Sequence, residues 1–521
     1  MDRRKVKKTD GDINSSVVID RPATRLMPPF VPGGQPGVAE GPLISEQVEA
    51  MMAQMNTPDA DVIVIGAGPG GYVAAIRAAQ LGGKVVIIEK DALGGVCLNR
   101  GCIPTKAMLS SAEAFDLIAR RNSEFGVNVS GEVTLDYPKV LDRRDKVVKQ
   151  LVGGVGFLMK KYNVRVITGT AKLISANTVE VTLPDGKTEK VTARSIIIAT
   201  GSEAVKLPVP GLEGDNVWDS DGALAATEVP KRLLVIGGGA IGIEWGYMFR
   251  KFGSEVTIVE MMDQILPLTD SEIANDLKKI LDKMGIRILL GSMASKVEHK
   301  KGAEVVTVIT GDSEQQIEAD KVLVAVGRSS VSAGLGLGEI GVKTEKGRIT
   351  VDDRMRTSVA GVYAIGDVVG GMLLAHKASE EGVIAAENCM GRDSKMSYKS
   401  VPAAVYTTPE VATVGMNEEQ LKEQGIEYKV GRFQFRANGK SLGIGEREGY
   451  VKFLADPKYG EILGCHILGP HATDLIQEVV IAMDSEATIE VIGRAIHGHP
   501  TLSEVVKEAA LDVNGESIHK G

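Results

Sequence analysis

The chain has 521 residues, 43% of them hydrophobic, and a formal net charge of -8. That length exceeds what one core usually serves and predicts about three or four domains. The acidic balance argues against a nucleic-acid partner, the lack of a run of about 18 apolar residues argues against a membrane span, and four cysteines in such a length suggest a reducing compartment.

Residues 1–57 begin MDRRKVKKTDGD and continue RPATRLMPPFVPGGQPGVAEGPL. No apolar stretch follows the basic start, so a secretory signal is not expected. Asp2, Asp10, Asp12 and Asp20 also make a poor mitochondrial presequence. Pro and Gly at this density predict a disordered extension, or a start placed upstream of Met51 or Met55; a tether for a partner is the alternative.

Order is expected from Asp61. DVIVIG reads as a buried strand, GAGPGG as a turn, YVAAIRAAQLGG as a helix and KVVIIEK as a second strand. Gly66, Gly68 and Gly71 fit G-x-G-x-x-G, and Glu89 ends the second strand 18 residues beyond Gly71. The first glycine makes a tight turn, the second admits a pyrophosphate to the backbone and the third lets helix and strand approach. The helix N-terminus offers free N–H groups to phosphate, and the acid can take a ribose hydroxyl pair. The same grammar returns at residues 232–260 with Gly237, Gly239, Gly242 and Glu260. Two such units imply two dinucleotide sites. An acid at Glu260, with no arginine in VTIVEMMDQILP, favours NAD over NADP. Between the units lie predicted strands with a hairpin at Pro184-Asp185-Gly186. SIIIATG and DKVLVAVGR close the two units as apolar strands, and the chain beyond about 400 reads as an α+β unit with alternating strands such as GYVKFLAD.

GGVCLNRGCIPTK, residues 94–106, holds two of the four cysteines, Cys97 and Cys102. In a regular helix Cα atoms five apart lie roughly 8.6 Å from each other, beyond the ~7 Å a disulfide spans, so closure needs a break that Gly101 and Pro104 permit. A staple on so short a loop would remove little chain entropy. A zinc site would want further paired ligands, which Cys389 and Cys465 do not offer. A redox pair is the favoured reading. A helix started by Pro104 would set Cys102 near its N-terminus, with Lys106 one turn on, and both favour a thiolate.

These features together resemble the flavoprotein disulfide reductases, over roughly residues 60–510. YAIGD at 363–367, LAHKASEEG at 374–382, TGTA at 168–171 and HGHPTLSE at 497–504 extend the likeness. The resemblance implies an α/β chain with two Rossmann-like domains binding FAD and NAD, a central domain and a C-terminal α+β dimerisation domain. The expected bounds are 58–201 for FAD, 202–328 for NAD, 329–400 for the central domain and 401–521 for dimerisation. It implies FAD contacts at Gly66, Gly68, Gly71, Glu89, Lys106, Ala171, Thr200, Gly201, Asp367 and Ala375, and NAD contacts at Gly237, Gly239, Gly242, Glu260 and Gly327, with no metal. It makes Cys97 the outer sulfur facing substrate and Cys102 the inner one facing the flavin. Lys106 and Glu244 become an ion pair by the flavin. His499 becomes a general acid/base oriented by Glu504 and delivered by the other subunit of a homodimer; imidazole titrates near neutrality and suits that task. His497 is its nearest rival, and His299, His466, His471 and His519 read as satisfied residues, with His376 assigned to flavin-side architecture.

Glu260 separates the chain from members that place arginines for NADPH, and its end GESIHKG from those needing a vicinal C-terminal cysteine pair. The branch it matches passes electrons from protein-bound dihydrolipoamide through the disulfide and FAD to NAD. The expected partners are a lipoylated acyltransferase or a glycine-cleavage carrier protein. A bacterial cytoplasm is the favoured location, with the mitochondrial matrix second. An NADH-dependent reductase of another disulfide or acceptor, and a non-catalytic scaffold, are the competing readings. Val96, Arg100, Thr105 and Gly498 depart from the usual residues, and Arg100 is expected to add positive charge between the cysteines, tuning thiol acidity or flavin potential.

Overall fold

The computed structural model describes residues 57–520; the expectations for residues 1–56 lie outside them. The run DVIVI becomes the strand Ala60–Ile65, in which Val62, Ile63 and Val64 are completely buried. A parallel strand covered on both faces reads as such a continuous apolar run. It lies between Val85–Glu89 and the end of the long strand Thr188–Ile198, parallel to both. Arg165–Thr168 extends one side of this seven-stranded sheet and Val362–Ala364 pairs on the other, so a strand far along the chain completes the first unit. The first half of Thr188–Ile198 instead forms the antiparallel hairpin with Thr178–Thr182 around the expected Pro-Asp-Gly turn.

The helix Pro69–Gln80 follows the glycine turn and packs against the helix Ala375–Cys389. Glycines permit the approach: a Cβ on Gly70 would stand 2.8 Å from the Ala378 carbonyl oxygen, and one on Gly382 would stand 2.5 Å from that of Gly70.

The second unit repeats the arrangement in a five-stranded parallel sheet, ordered Ile286–Leu289, Glu255–Val259, Arg232–Ile236, Lys321–Val324 and Val217–Trp218. A short antiparallel pair, Ser202–Ala204 with Arg328–Ser330, joins the chain entering and leaving it.

The last unit is a five-stranded antiparallel sheet with the helices Ala472–Asp484 and Ser503–Asp512 on one face. GYVKFLAD alternates in polarity as expected, yet every residue of Tyr450–Ala455 is buried. Val451, Phe453 and Ala455 meet the helices, while Tyr450 and Leu468 join a core with Leu277 and Phe252 of the second unit. Lys452, on that same inner face, is buried with its Nζ 2.9 Å from both Asp270 oxygens, 2.9 Å from Glu272 and 2.6 Å from Glu418. A buried ammonium needs this many partners to offset its desolvation. Asp270 also caps the helix Ser271–Lys283, so the charge cluster fixes that helix to the C-terminal sheet.

Candidate active site

Gly94, in the left-handed region at φ 90°, turns the chain into the short helix Gly95–Arg100. The helix breaks at Gly101 (φ -136°, ψ -113°) and restarts as Cys102–Arg120. The restart lies two residues before Pro104, which is tolerated in a first turn where the N–H has no helical partner. A side chain at Gly101 would press within 3.2 Å of the Cys97 Cα. The break therefore supplies the departure from helical spacing that a Cys97–Cys102 contact requires. Both cysteines are free thiols, Cys97 half-buried and Cys102 open to the adjoining cavity.

The two thiols hydrogen-bond to one another and become unequal. That bond, then burial, pushes Cys97 far up. The same bond, aided by the Lys106 charge and opposed by burial, brings Cys102 down to about 7. Cys102 also stands at the N-terminus of a 19-residue helix without a side-chain cap, where the helix dipole favours an anion. Lys106 Nζ donates to Glu244 Oε2 at 2.8 Å, and Glu244 is nearly fully buried on the helix Ala240–Phe252.

This cysteine segment forms one wall of a cavity of about 1520 Å³. Gly66, Gly68, Glu89, Ala171, Thr200 and Gly201 line it, with Asp367 and Ala375 opposite. Gly66 has φ +100°, and a Cβ on Gly71 would stand 1.9 Å from its carbonyl oxygen, whereas a Cβ on Gly68 would meet nothing within 4 Å. The cradle is closed to side chains at two glycines and open at the third, which fits a phosphate approaching the backbone. Glu89 accepts from the Ala67 amide at 2.6 Å and the Asp91 amide at 2.8 Å. Ala375 opens the helix Ala375–Cys389, whose first turn faces the cavity without a side-chain cap.

The second cradle has the same form. Gly237 has φ +110°, a Cβ on Gly242 would stand 2.0 Å from its oxygen, and Gly239 is open. Glu260 accepts from the Gly238 amide at 2.5 Å and the Met262 amide at 2.7 Å. Gly327, at φ +123°, follows the closing strand as Gly201, at +74°, does in the first unit. None of these five residues lines the large cavity, although Ile241, Glu244 and Trp245 of the same helix do.

His499 and Glu504 are joined, Nδ1 to Oε1, at 2.9 Å, and the other Glu504 oxygen accepts the Thr501 amide at 2.9 Å. Burial opposes ionisation of Glu504, but the Thr501 amide and His499 together hold it below the usual carboxylate range. The His499 side chain is 79% exposed, and among the described residues the cavity lining ends at Ala378, so the dyad and the cysteines of one chain are not brought together. His497 hydrogen-bonds Glu478 at 2.7 Å. His299, His471 and His519 pair with Glu304, Asp474 and Glu508, the buried His466 meets the Met416 carbonyl and His376 that of Pro402.

Arg100 lines the same cavity as the two cysteines, and its guanidinium pairs with Asp91 (2.6 Å) and Asp221 (3.2 Å), which balance its charge. Other supports escaped sequence reasoning. Asp367 accepts from Ser202 Oγ at 2.5 Å, and Arg328 in turn holds Ser202. Lys377 and Glu381, a buried pair at 3.0 Å, grip the loop before it through the Gly370 carbonyl and the Gly366 amide. Tyr406 donates its amide to Glu244 Oε1 at 3.0 Å. A Lys and a Glu four apart in LAHKASEEG, Lys377 and Glu381, were a usable signal; Tyr406 had none.

Residues 60–382 match the pyridine nucleotide-disulphide oxidoreductase model, and residues 401–510 match the dimerisation domain of the same family. The chain belongs to the pyridine nucleotide-disulphide oxidoreductases. It is 44% identical over 470 residues to the mitochondrial dihydrolipoyl dehydrogenase of Dictyostelium discoideum, covering 89% of this chain and 96% of that one. It is equally, 44%, identical to the dihydrolipoyl dehydrogenase of Geobacillus stearothermophilus, over 88% and 97% of the two chains. Among solved structures, LpdA from Mycobacterium tuberculosis superposes with a TM-score of 0.81 at 27% identity, over 86% of this chain and 99% of that one. Membership of the family implies binding of FAD and a nicotinamide dinucleotide. No helix among the described residues is long and apolar enough to cross a membrane.

Proposed function

We infer that this chain oxidises protein-bound dihydrolipoamide to lipoamide and reduces NAD, with FAD held in the large cavity. The observation that carries the reading is the unequal thiol pair at a helix break on the wall of a glycine-cradled cavity, beside Lys106 paired with the buried Glu244. Bound FAD supplies a two-electron acceptor between dithiol and nicotinamide.

In the oxidised protein Cys97 and Cys102 would share a disulfide. One substrate thiol loses its proton to His499 Nε2, the nitrogen left free because Nδ1 faces Glu504. The resulting thiolate attacks Cys97 Sγ; the Cys97–Cys102 bond breaks and Cys102 leaves as a thiolate, the form that its environment favours. The second substrate thiol then attacks the mixed disulfide, closing the lipoamide ring and returning the Cys97 thiol. Because His499 is exposed and lies off the cavity wall of its own chain, a second copy supplies it, and the active form is a homodimer joined through residues 401–521. Gly66, Gly68, Gly71, Glu89, Ala171, Thr200, Gly201, Asp367 and Ala375 are proposed to hold FAD. Gly237, Gly239, Gly242, Glu260 and Gly327 are proposed to hold NAD, with Glu260 excluding a 2′-phosphate. The substrate arm belongs to a lipoylated acyltransferase or a glycine-cleavage carrier protein, in a cytoplasmic setting. The division at 201, 328 and 400 is the proposed domain plan.

Anaerobic titration of the yellow protein tests the reading. Two electrons from dihydrolipoamide, and separately from NADH, should each produce a long-wavelength absorbance band that Cys102→Ala abolishes. Reduction by NADH but not by dihydrolipoamide overturns it in favour of a reductase of another acceptor. His499→Gln should slow dithiol oxidation by a factor of about 10² or more; near-normal turnover would move the base elsewhere.

A further inference from the structure

A lysine ammonium on a flexible four-carbon stem is hard to place with one salt bridge, and Lys106 is about one-third exposed at the cavity wall. Tyr406 addresses both halves of the pair at once. Its amide holds Glu244 Oε1 at 3.0 Å, leaving Oε2 for Lys106, and its ring centroid lies 4.4 Å from Lys106 Nζ. That distance is within the range of an attractive ammonium–ring contact. Tyr406 follows the strand Ala403–Val405 of the C-terminal sheet and packs against the core that contains Trp245 and Phe249. It does not line the cavity, so it can act only through its neighbours.

We propose that Tyr406 is a positioning residue: the face of its ring, anchored from the C-terminal unit, holds the Lys106 ammonium beside Cys102 at the start of the redox helix. The groups facing Lys106 are Glu244 from the helix Ala240–Phe252, Tyr406 from the C-terminal segment and Cys102 from its own helix; those acting on Cys102 are Cys97, Lys106 and Glu244. Removing the ring frees the ammonium to move off. The Cys102 thiolate then loses positive charge, so its titration midpoint rises above about 7 and less thiolate is present at a given pH below it. The chemical role of Cys102 rests on the function proposed above, but the charge placement does not.

The test measures the rate of Cys102 alkylation by iodoacetamide against pH in the chemically reduced holoenzyme, read by peptide mass spectrometry, with no dithiol substrate present. Tyr406→Leu should raise the midpoint and slow alkylation at pH 6 roughly threefold, an effect of the size of an ammonium–ring contact. Tyr406→Phe should restore the parent profile. In a Lys106→Met background Tyr406→Leu should add nothing. If the leucine variant fails to fold, phenylalanines of increasing fluorination at position 406 keep the shape and weaken the ring's negative face, and the midpoint should climb with fluorine content. An unchanged midpoint in Tyr406→Leu, a shift that persists in Lys106→Met, or no trend with fluorination overturns the proposal. Failure of dihydrolipoamide as a substrate, with these shifts intact, would overturn the function and leave the positioning role standing.

Discussion

The two glycine-loop units match in their backbones and differ in what surrounds them. In each the first glycine is left-handed, the third lies against its carbonyl oxygen, the middle one is open and the acid accepts one amide from the loop and one from the residue two beyond itself. The first unit is then walled in. The cysteine helices follow its acid strand, a strand from residues 362–364 joins its sheet, and the helix Ala375–Cys389 locks onto its glycine helix through Gly70 and Gly382. The second unit's glycine loop lies outside the large cavity and is backed instead by its own chain, the Leu266 amide donating to the Gly238 carbonyl at 2.9 Å; the unit is tied to the C-terminal sheet through the buried charge cluster on its next helix, Ser271–Lys283. An acid-bound glycine cradle thus occurs once on the wall of the large cavity, where FAD is proposed, and once outside it, where NAD is proposed.

The largest expected effect tests that asymmetry at its tightest points. Gly71→Ala and Gly242→Ala each force a Cβ to about 2 Å from a backbone oxygen, so each should cost at least 1–3 kcal/mol locally. Gly71→Ala should purify with little flavin and lose all activity. Gly242→Ala should stay yellow, accept electrons from dihydrolipoamide and fail only in reduction by NADH. Equal loss of flavin in both, measured by absorbance after purification, would erase the distinction between the units.

A milder substitution leaves the loops intact. Charged hydrogen bonds are each worth about 1.5–3 kcal/mol, so Glu260→Gln should weaken NADH binding about 10- to 150-fold with flavin content unchanged. Glu89→Gln should speed flavin release and leave the NADH dissociation constant alone. Stopped-flow reduction and dialysis against flavin-free buffer separate the two; crossed effects would mean that the acids serve the fold only.

The differing supports also predict different pH responses. Burial raises the Glu418 carboxyl, but Lys452, Tyr428 and Lys422 outweigh it and bring Glu418 down to about 2. Its folded value lies below the unfolded one, so its contribution is present above about 4.5 and is lost as pH falls toward 2, at most about 3 kcal/mol. The first unit has smaller counterparts, the buried Lys377–Glu381 pair and the Arg77–Glu387 pair, whose carboxylate Ser394 and Arg77 also hold below the usual range, but glycine packing and apolar strands carry most of its contact with the helix Ala375–Cys389. Hydrogen exchange at pH 3.5 should therefore loosen residues 271–283 and 450–455 before residues 69–80 and 375–389; simultaneous loosening would deny the latch its role.

Legibility in the sequence follows the range of the interaction. The glycine spacings, the acids at Glu89 and Glu260 and the Pro-Asp-Gly hairpin are local patterns, and the structure places each in the expected local setting. The helix break at Gly101 was foreseeable because five-residue spacing and a thiol contact are incompatible in a regular helix. Tyr406 over Lys106 was not, because the two are 300 residues apart and meet only when the C-terminal sheet docks. Lys452 was hidden for a related reason. In GYVKFLAD it reads as a solvated face, and only the second unit's carboxylates turn that face into an interior one.

Arg100 shows the limit most sharply and gives the smallest predicted effect. By sequence its charge lies between the cysteines and suggests thiol tuning. In space it spans Asp91, two residues past the first unit's acid, and Asp221, on the short helix Ser220–Ala225 near the start of the second. Both carboxylates are about half exposed, and such pairs contribute about 0–1 kcal/mol. Its positive charge is met by two negative ones. Arg100→Val should leave the Cys102 alkylation midpoint at about 7 and lower thermal stability little. Lys106→Met, on the helix after the break and facing no acid beyond Glu244, should raise that midpoint clearly. An upward shift in Arg100→Val as large as in Lys106→Met would show that the guanidinium's field reaches Cys102 despite Asp91 and Asp221, and would restore the role its position in the sequence suggests.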